Sequence, residues 1–193
     1  MFLISAPAIV AVIIVGVFLI LLVTLFFWAI AKRNHFRRME VKIEESASDI
    51  DVALNKRFDL LTKEYQICKG YAKHEKETFS EVTRLRSAAG KKDMETLSRI
   101  NNGLDRLQKD IDLTVEQYPQ LKADQVFLHL ADSCKEAEET LEAARRLYNS
   151  NVSLYNQEIV VFPSSIIASF CHCRKRDLFQ VEERKRNDVE MEF

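Results

Sequence analysis

The side chains of this 193-residue chain best suited to hold a metal or act as a nucleophile are its four histidines and four cysteines. "HEKET", residues 74–78, opens like the zinc motif of metalloproteases, which needs a second histidine one helical turn on. Thr78 stands at that position, so the two-histidine face is missing. Di-iron bundles need Glu-x-x-His pairs, and none of the four histidines has a glutamate three residues before it. "CHC", Cys171–Cys173, offers adjacent ligands that cannot easily all face one ion, and no partner cluster with zinc-site spacing occurs elsewhere. Nothing sits in a nucleophile-elbow or phosphate-loop context. His74 and His129 therefore read as surface or boundary residues. The expectation is a protein without catalytic residues, metal or cofactor.

The cysteines fall into two pairs. Cys68 and Cys134 occupy apolar positions of helical patterns and read as small core residues in a reducing compartment. Cys171 and Cys173 lie beside Arg174–Arg176 and read as ordinary thiols, with S-palmitoylation inside the cell as the sharper alternative.

Binding chemistry is better represented. Tyr148 and Tyr155 lie seven apart with Asn149 and Asn156 beside them, so a tyrosine seam and an asparagine seam run down neighbouring sides of one helix. Two accounts stay open. The tyrosines fill the core while the asparagines bond across helices or into the following loop, or the seams form a groove for a peptide or partner helix. Arg145 and Arg146 beside Glu142 read as a solvated face with an i,i+4 pair, Glu142 to Arg146. At the far end "MEF" places Met191 and Phe193 around a glutamate. That pattern suits domains that add a peptide strand to a sheet edge and capture its carboxylate, while the alternative is a disordered or folded-back tail.

These residues must be positioned by helices. Between Met39 and Ala89 apolar or small residues recur at three- and four-residue steps, apart from a gap around Glu75, through Ile50, Leu54, Phe58, Leu61, Tyr65, Cys68 and on to Leu85, which predicts one long amphipathic helix ended by Gly90. Asp93 can cap a second helix running through Met94, Leu97, Ile100, Leu104, Leu107, Ile111 and Val115, with Asn102 and Gly103 a local weakness and Pro119 a break. A third runs from about Ala123 to Ile159, and Pro163 stops it before the apolar stretch "SSIIASF". Three long amphipathic helices with short connections must bury their stripes on one another. The predicted fold is all-α, an antiparallel bundle of long helices preceded by one N-terminal transmembrane helix.

That leading helix follows from an uncharged run. Pro7 to Ala31 carries no charged residue and as a helix would span roughly 37 Å at about 1.5 Å per residue, enough to cross a bilayer core. "AIA", Ala29–Ala31, resembles a signal-peptide cleavage site, but the apolar run is too long and no basic residue precedes it. Lys32, Arg33, Arg37 and Arg38 follow directly, which predicts Met1 outside and the rest inside the cell. Phe26, Phe27 and Trp28 would form an aromatic collar at the inner interface. The four charges also read as an electrostatic grip on anionic lipid, although an anchored helix needs no extra lipid affinity.

The chain nets −1 overall, while residues 39–170 carry 18 basic and 23 acidic side chains. A mildly acidic body behind a basic collar excludes nucleic acid as a partner. The expected division is 1–31 anchor, 32–48 basic juxtamembrane connector, 49–170 helical bundle and 171–193 charged tail, loose or packed on the bundle surface.

Several runs resemble the LemA family of bacterial membrane proteins. They are "IDVALNKRFDLL" (50–61), "GYAKHEKETFSEVTRLRSA" (70–88), "YPQLKADQVFLHL" (118–130), "ARRLYNSNVSLYN" (144–156) and "FPSSIIA" (162–168), in the family's order behind a single membrane segment. The end, "DLFQVEERKRNDVEMEF", is similar to the family's tail. The resemblance implies a single-pass anchor and an α-helical bundle, usually drawn in the cytoplasm, and it supplies no catalytic residues. One branch is associated with magnetosome membrane formation, and other members are encoded near membrane proteins including metalloproteases. The sequence departs from the pattern at "SASD" (46–49), where a tryptophan is frequent, and at "DLLTKE" (59–64), where the family often has a proline. "SFCHC" replaces a segment usually apolar and glycine-containing.

The function expected from these features is a scaffold or adaptor in the bacterial inner membrane, with its N-terminus outside and its bundle in the cytoplasm. Its partners would be the lipid bilayer and proteins such as a membrane protease or another membrane protein. Self-association is an open expectation, since long helices pair, but no uninterrupted heptad seam demands it. The rival is an envelope-facing signalling receptor or ligand-binding module; a hydrolase comes third.

Overall fold

The computed structural model describes residues 6–70, 80, 83, 84 and 94–179. His74, Gly90, Asp93, Met191 and Phe193 lie outside the described residues. Five helices have defined bounds: α1 (Ala6–Cys68), α2 (Met94–Gln117), α3 (Pro119–Ala123), α4 (Gln125–Glu158) and α5 (Ser164–Phe170). The described residues contain no strand. The fold is all-α.

α1 is unbroken because its one proline, Pro7, lies in the first turn, where a missing N–H costs nothing. Its amphipathic part ends earlier than the apolar periodicity predicts. The chain turns at Lys69–Gly70, where the Gly70 N–H bonds Ile67 O at 3.1 Å, so the single helix expected over 39–89 stops at Cys68. α2 runs through Asn102–Gly103 without interruption. Burial of Ile100, Leu104 and Leu107 around that pair outweighs a glycine's propensity cost of about 1 kcal/mol, since each fully buried Leu or Ile stabilises by about 2 kcal/mol. After α2, Pro119 opens a five-residue helix of its own at a position where proline is favoured. Asp124 then caps α4, its Oδ1 accepting the N–H groups of Val126 at 2.8 Å and Phe127 at 3.3 Å.

The chain divides into two compact units. One comprises Met1–Val41 with Leu154–Lys175. In it α1 presents exposed apolar side chains that include Val10, Ile13, Val17, Ile20, Val23 and Phe27, and this is the one helix among the described residues long and apolar enough to cross a membrane. Below that run Phe36, Tyr155, Ile159 and Ala168 are buried.

The second unit comprises Lys42–Ser153 with the described part of Arg176–Phe193. Its core takes Ile50, Leu54, Phe58, Leu61 and Cys68 from α1, Leu97, Leu104, Leu107 and Ile111 from α2, and Phe127, Cys134, Leu141, Tyr148 and Val152 from α4. Within this unit α4 runs antiparallel to α1: Asn151 reaches Ser46 Oγ at 3.3 Å, and Glu138 meets Arg57. α2 runs antiparallel to α4 and alongside α1 in the same direction, since Arg57 meets Asn101 and Asp105 while Glu64 lies near Gln108 and Asp112.

Arg57 joins three helices. Its guanidinium lies 2.9 Å from Asp105 Oδ1 and 2.8 Å from Glu138 Oε2, and it donates to Asn101 Oδ1 at 3.2 Å. It is buried, as is Arg145, which bonds the other Glu138 oxygen at 3.0 Å. Charges buried in this way hold the register of helices more than they stabilise the fold, because desolvation offsets most of their attraction.

Candidate functional site

Helix α4 grips a non-helical segment of its own chain. The Phe179 N–H donates to Asn149 Oδ1 at 2.8 Å, and Asn149 Nδ2 donates back to the Phe179 carbonyl at 3.2 Å. One side-chain amide thus mimics a strand partner. Two residues earlier the Tyr148 hydroxyl donates to the Asp177 carbonyl at 2.9 Å. The Phe179 ring is buried, with the Arg145 guanidinium 5.7 Å from its centroid. The hydrogen bonds from Tyr148 and Asn149 go to backbone, so they hold this segment with little regard for its sequence apart from the Phe179 pocket.

The structure thus brings Tyr148 and Asn149 together around one ligand-like segment. Arg145 belongs to the same site, which corrects its reading as part of a solvated face: it is buried between Glu138 and Phe179. Arg146 stays exposed and lies 3.9 Å from Glu142. The tail is exposed over Arg174–Leu178 and buried at Phe179. Tyr155 and Asn156 belong to the other unit. Tyr155 is fully buried and its hydroxyl meets Glu40 Oε1 at 3.1 Å, while Asn156 is half-buried. Burial raises the Tyr155 phenol, with Cys173 and Glu40 pushing the same way, and burial likewise raises Tyr148. Both tyrosines are neutral hydrogen-bond donors.

The basic collar is partly neutralised. Lys32 Nζ donates to Glu158 Oε2 at 3.1 Å, and Arg37 donates to Glu40 Oε2 at 2.8 Å. Arg33 and Arg38 are exposed and Trp28 is half-buried.

A separate cleft of about 650 Å³ lies in the second unit, lined by Arg57, Glu64, Gln108, Asp112, Cys134 and Glu138 among others. Glu64 is 1% exposed and neither carboxylate oxygen makes a hydrogen bond of good geometry. Burial pushes its carboxyl up to about 7, only partly offset by the nearby Cys134 thiol and Gln108 amide, and Asp112 pushes it the same way as burial. Burial also raises Cys134, and raises Cys68 to about 11. Neither thiol is ionised near neutrality, so both are inert core residues. Among the described residues no group of three histidine, cysteine or carboxylate side chains is arranged to hold a metal ion.

A helix long and apolar enough to span a membrane, a buried ionic three-helix core and the absence of strands among the described residues define a class: a membrane-associated, single-pass, all-α protein. The profile of the LemA family matches residues 46–193, and the chain belongs to that family. A relative named Protein LemA, from Metamycoplasma hominis, is 27% identical over 176 residues, covering 90% of this chain and 80% of the relative. The family is not one of known enzymes.

Proposed function

We propose that the chain is a scaffold or adaptor, anchored in the bacterial inner membrane with its bundle in the cytoplasm, that organises protein partners or the membrane surface. The observation that supports this most is the clamp on α4. Tyr148 and Asn149 hold the backbone of residues 177–179 in the manner of adaptors that dock extended peptides, with Arg145 covering an aromatic anchor. The orientation rests on Lys32, Arg33, Arg37 and Arg38 directly after the apolar run, since such charge is retained in the cytoplasm. Trp28 marks the interface. In this reading 1–31 anchors, 32–48 connects, 49–170 presents the bundle and 171–193 is the tail. Met191 and Phe193 end that tail as a docking peptide for a partner such as another membrane protein or a membrane protease.

A second reading, an envelope-facing receptor or ligand-binding module, draws on the cleft around Glu64, whose buried carboxylate lacks a good hydrogen bond. The two readings separate in living cells. A photo-reactive residue at Leu147, exposed on α4 beside the clamp, should give adducts to the same cytoplasm-facing protein in repeated captures. Adducts confined to proteins on the outer side would favour the receptor.

A further inference from the structure

Helix α5 is inside out for a protein in water. It buries Ser164 and Ala168, while Ile166 and Phe170 point outward together with Phe162 just before it. Phe162 is 77% and Phe170 80% exposed. Ile166 and Phe170 stand at i and i+4 on one face of the helix, and Phe162 adds a third exposed apolar side chain from the turn that leads into it. A helix that buries only small side chains and exposes its large apolar ones is stable when its surroundings are themselves apolar.

What surrounds it is set by its own unit. A groove of about 830 Å³ is lined by Phe26 and Ile30 of α1, from the last turns of the apolar run, and by Phe170 and Cys171. Its size falls within the roughly 300–1,000 Å³ of small-molecule sites. Arg33 and Arg37 line the same groove on the polar side. Arg37 is already paired with Glu40, whereas Arg33 is exposed and forms no ion pair among the described residues. Apolar walls that continue a membrane helix, ending at an arginine that retains its charge, match one kind of molecule: a lipid with an anionic headgroup.

We propose that this groove seats one anionic phospholipid, its phosphate on Arg33 and an acyl chain along Phe26, Ile30 and Phe170, with the exposed side chains of Phe162, Ile166 and Phe170 embedded in the bilayer surface. The inference needs only that α1 spans the membrane and is the same whichever side the bundle occupies. It also differs from a diffuse attraction of the basic collar, because it singles out Arg33 over Arg38, which does not line the groove.

Trp28 is the sole tryptophan, so the full chain carrying Trp28→Phe and Phe170→Trp reports from α5 alone. In nanodiscs containing lipid brominated on its acyl chains, phosphatidylglycerol should quench this reporter more strongly than phosphatidylcholine at equal mole fraction. Arg33→Gln in the same background should cut that preference by roughly fivefold, the effect of one basic side chain on an anionic lipid. Arg38→Gln should leave most of it. An unquenched reporter would remove α5 from the lipid, and equal quenching by both lipids would remove the anionic site. Equal losses in the two arginine variants would reduce the effect to diffuse attraction. Any of these results overturns the proposal.

Discussion

Asn149 and Phe179, thirty residues apart, are joined by two reciprocal hydrogen bonds through a single side-chain amide, at 2.8 and 3.2 Å. Asn149→Ala removes both and leaves the Phe179 backbone to find water. Two net hydrogen bonds stabilise the clamp by about 1–3 kcal/mol. The variant should raise amide exchange at residues 177–179 by roughly tenfold or more without altering exchange in the α1 and α2 core.

Arg57 carries a different load. Truncating it leaves Asp105 and Glu138 facing each other without their shared cation, and breaking a buried ionic cluster on one side costs about 3–5 kcal/mol. Arg57→Ala should lower the denaturation midpoint sharply, and replacing Arg57 and Asp105 together by apolar residues, which leaves Glu138 paired with Arg145, should recover part of the loss.

Glu64 makes stability depend on pH. Its carboxyl is raised from 4.5 to about 7 by burial, so the folded state binds the proton more tightly than the unfolded chain. That contribution is fully present below about pH 4.5 and is lost as pH rises through 7. The difference amounts to about 3 kcal/mol. Glu64→Gln, neutral at every pH, should stabilise the protein most at pH 8 and give no gain near pH 4, as read from paired melting curves.

Met191 and Phe193 test the adaptor reading from the other end of the chain. Deleting Met191–Phe193 should abolish recovery of the partner captured at Leu147, while circular dichroism and the melting transition stay unchanged. Full recovery with an intact bundle would end the docking-peptide reading.

Helical periodicity placed α2 and α4 to within two residues at each end, because an apolar stripe at three- and four-residue steps has few other ways to be buried. The end of α1 was harder to read. Phe79, Val82 and Leu85 resume the rhythm of Leu54, Phe58 and Leu61, and the local signs of a stop were Gly70 and the gap around Glu75. Tyr148 and Asn149 were legible as a core tyrosine and an asparagine that bonds into a following segment, yet that segment, residues 177–179, lies too far along the chain for spacing to reveal it. Arg145 was misread from its neighbour Arg146. The register held the answer: 141, 145, 148 and 152 share one face, and Leu141, Tyr148 and Val152 are all buried. Arg57 and Glu64 sit in core register too, beside Leu54 and Phe58 and between Leu61 and Cys68. A charge at a core position signals a partner, but which partner is fixed only by the fold.

Cys171 and Cys173 offer the most direct test of the central claim, a membrane-anchored scaffold with its bundle in the cytoplasm. Both are half-exposed, whereas Cys68 and Cys134 are buried and held as thiols. A membrane-impermeant maleimide applied to intact cells should leave all four cysteines unmodified, and lysis should expose Cys171 and Cys173, with residues 1–31 still present by intact mass. Labelling of Cys171 or Cys173 in intact cells would place the bundle on the outer side and contradict the account.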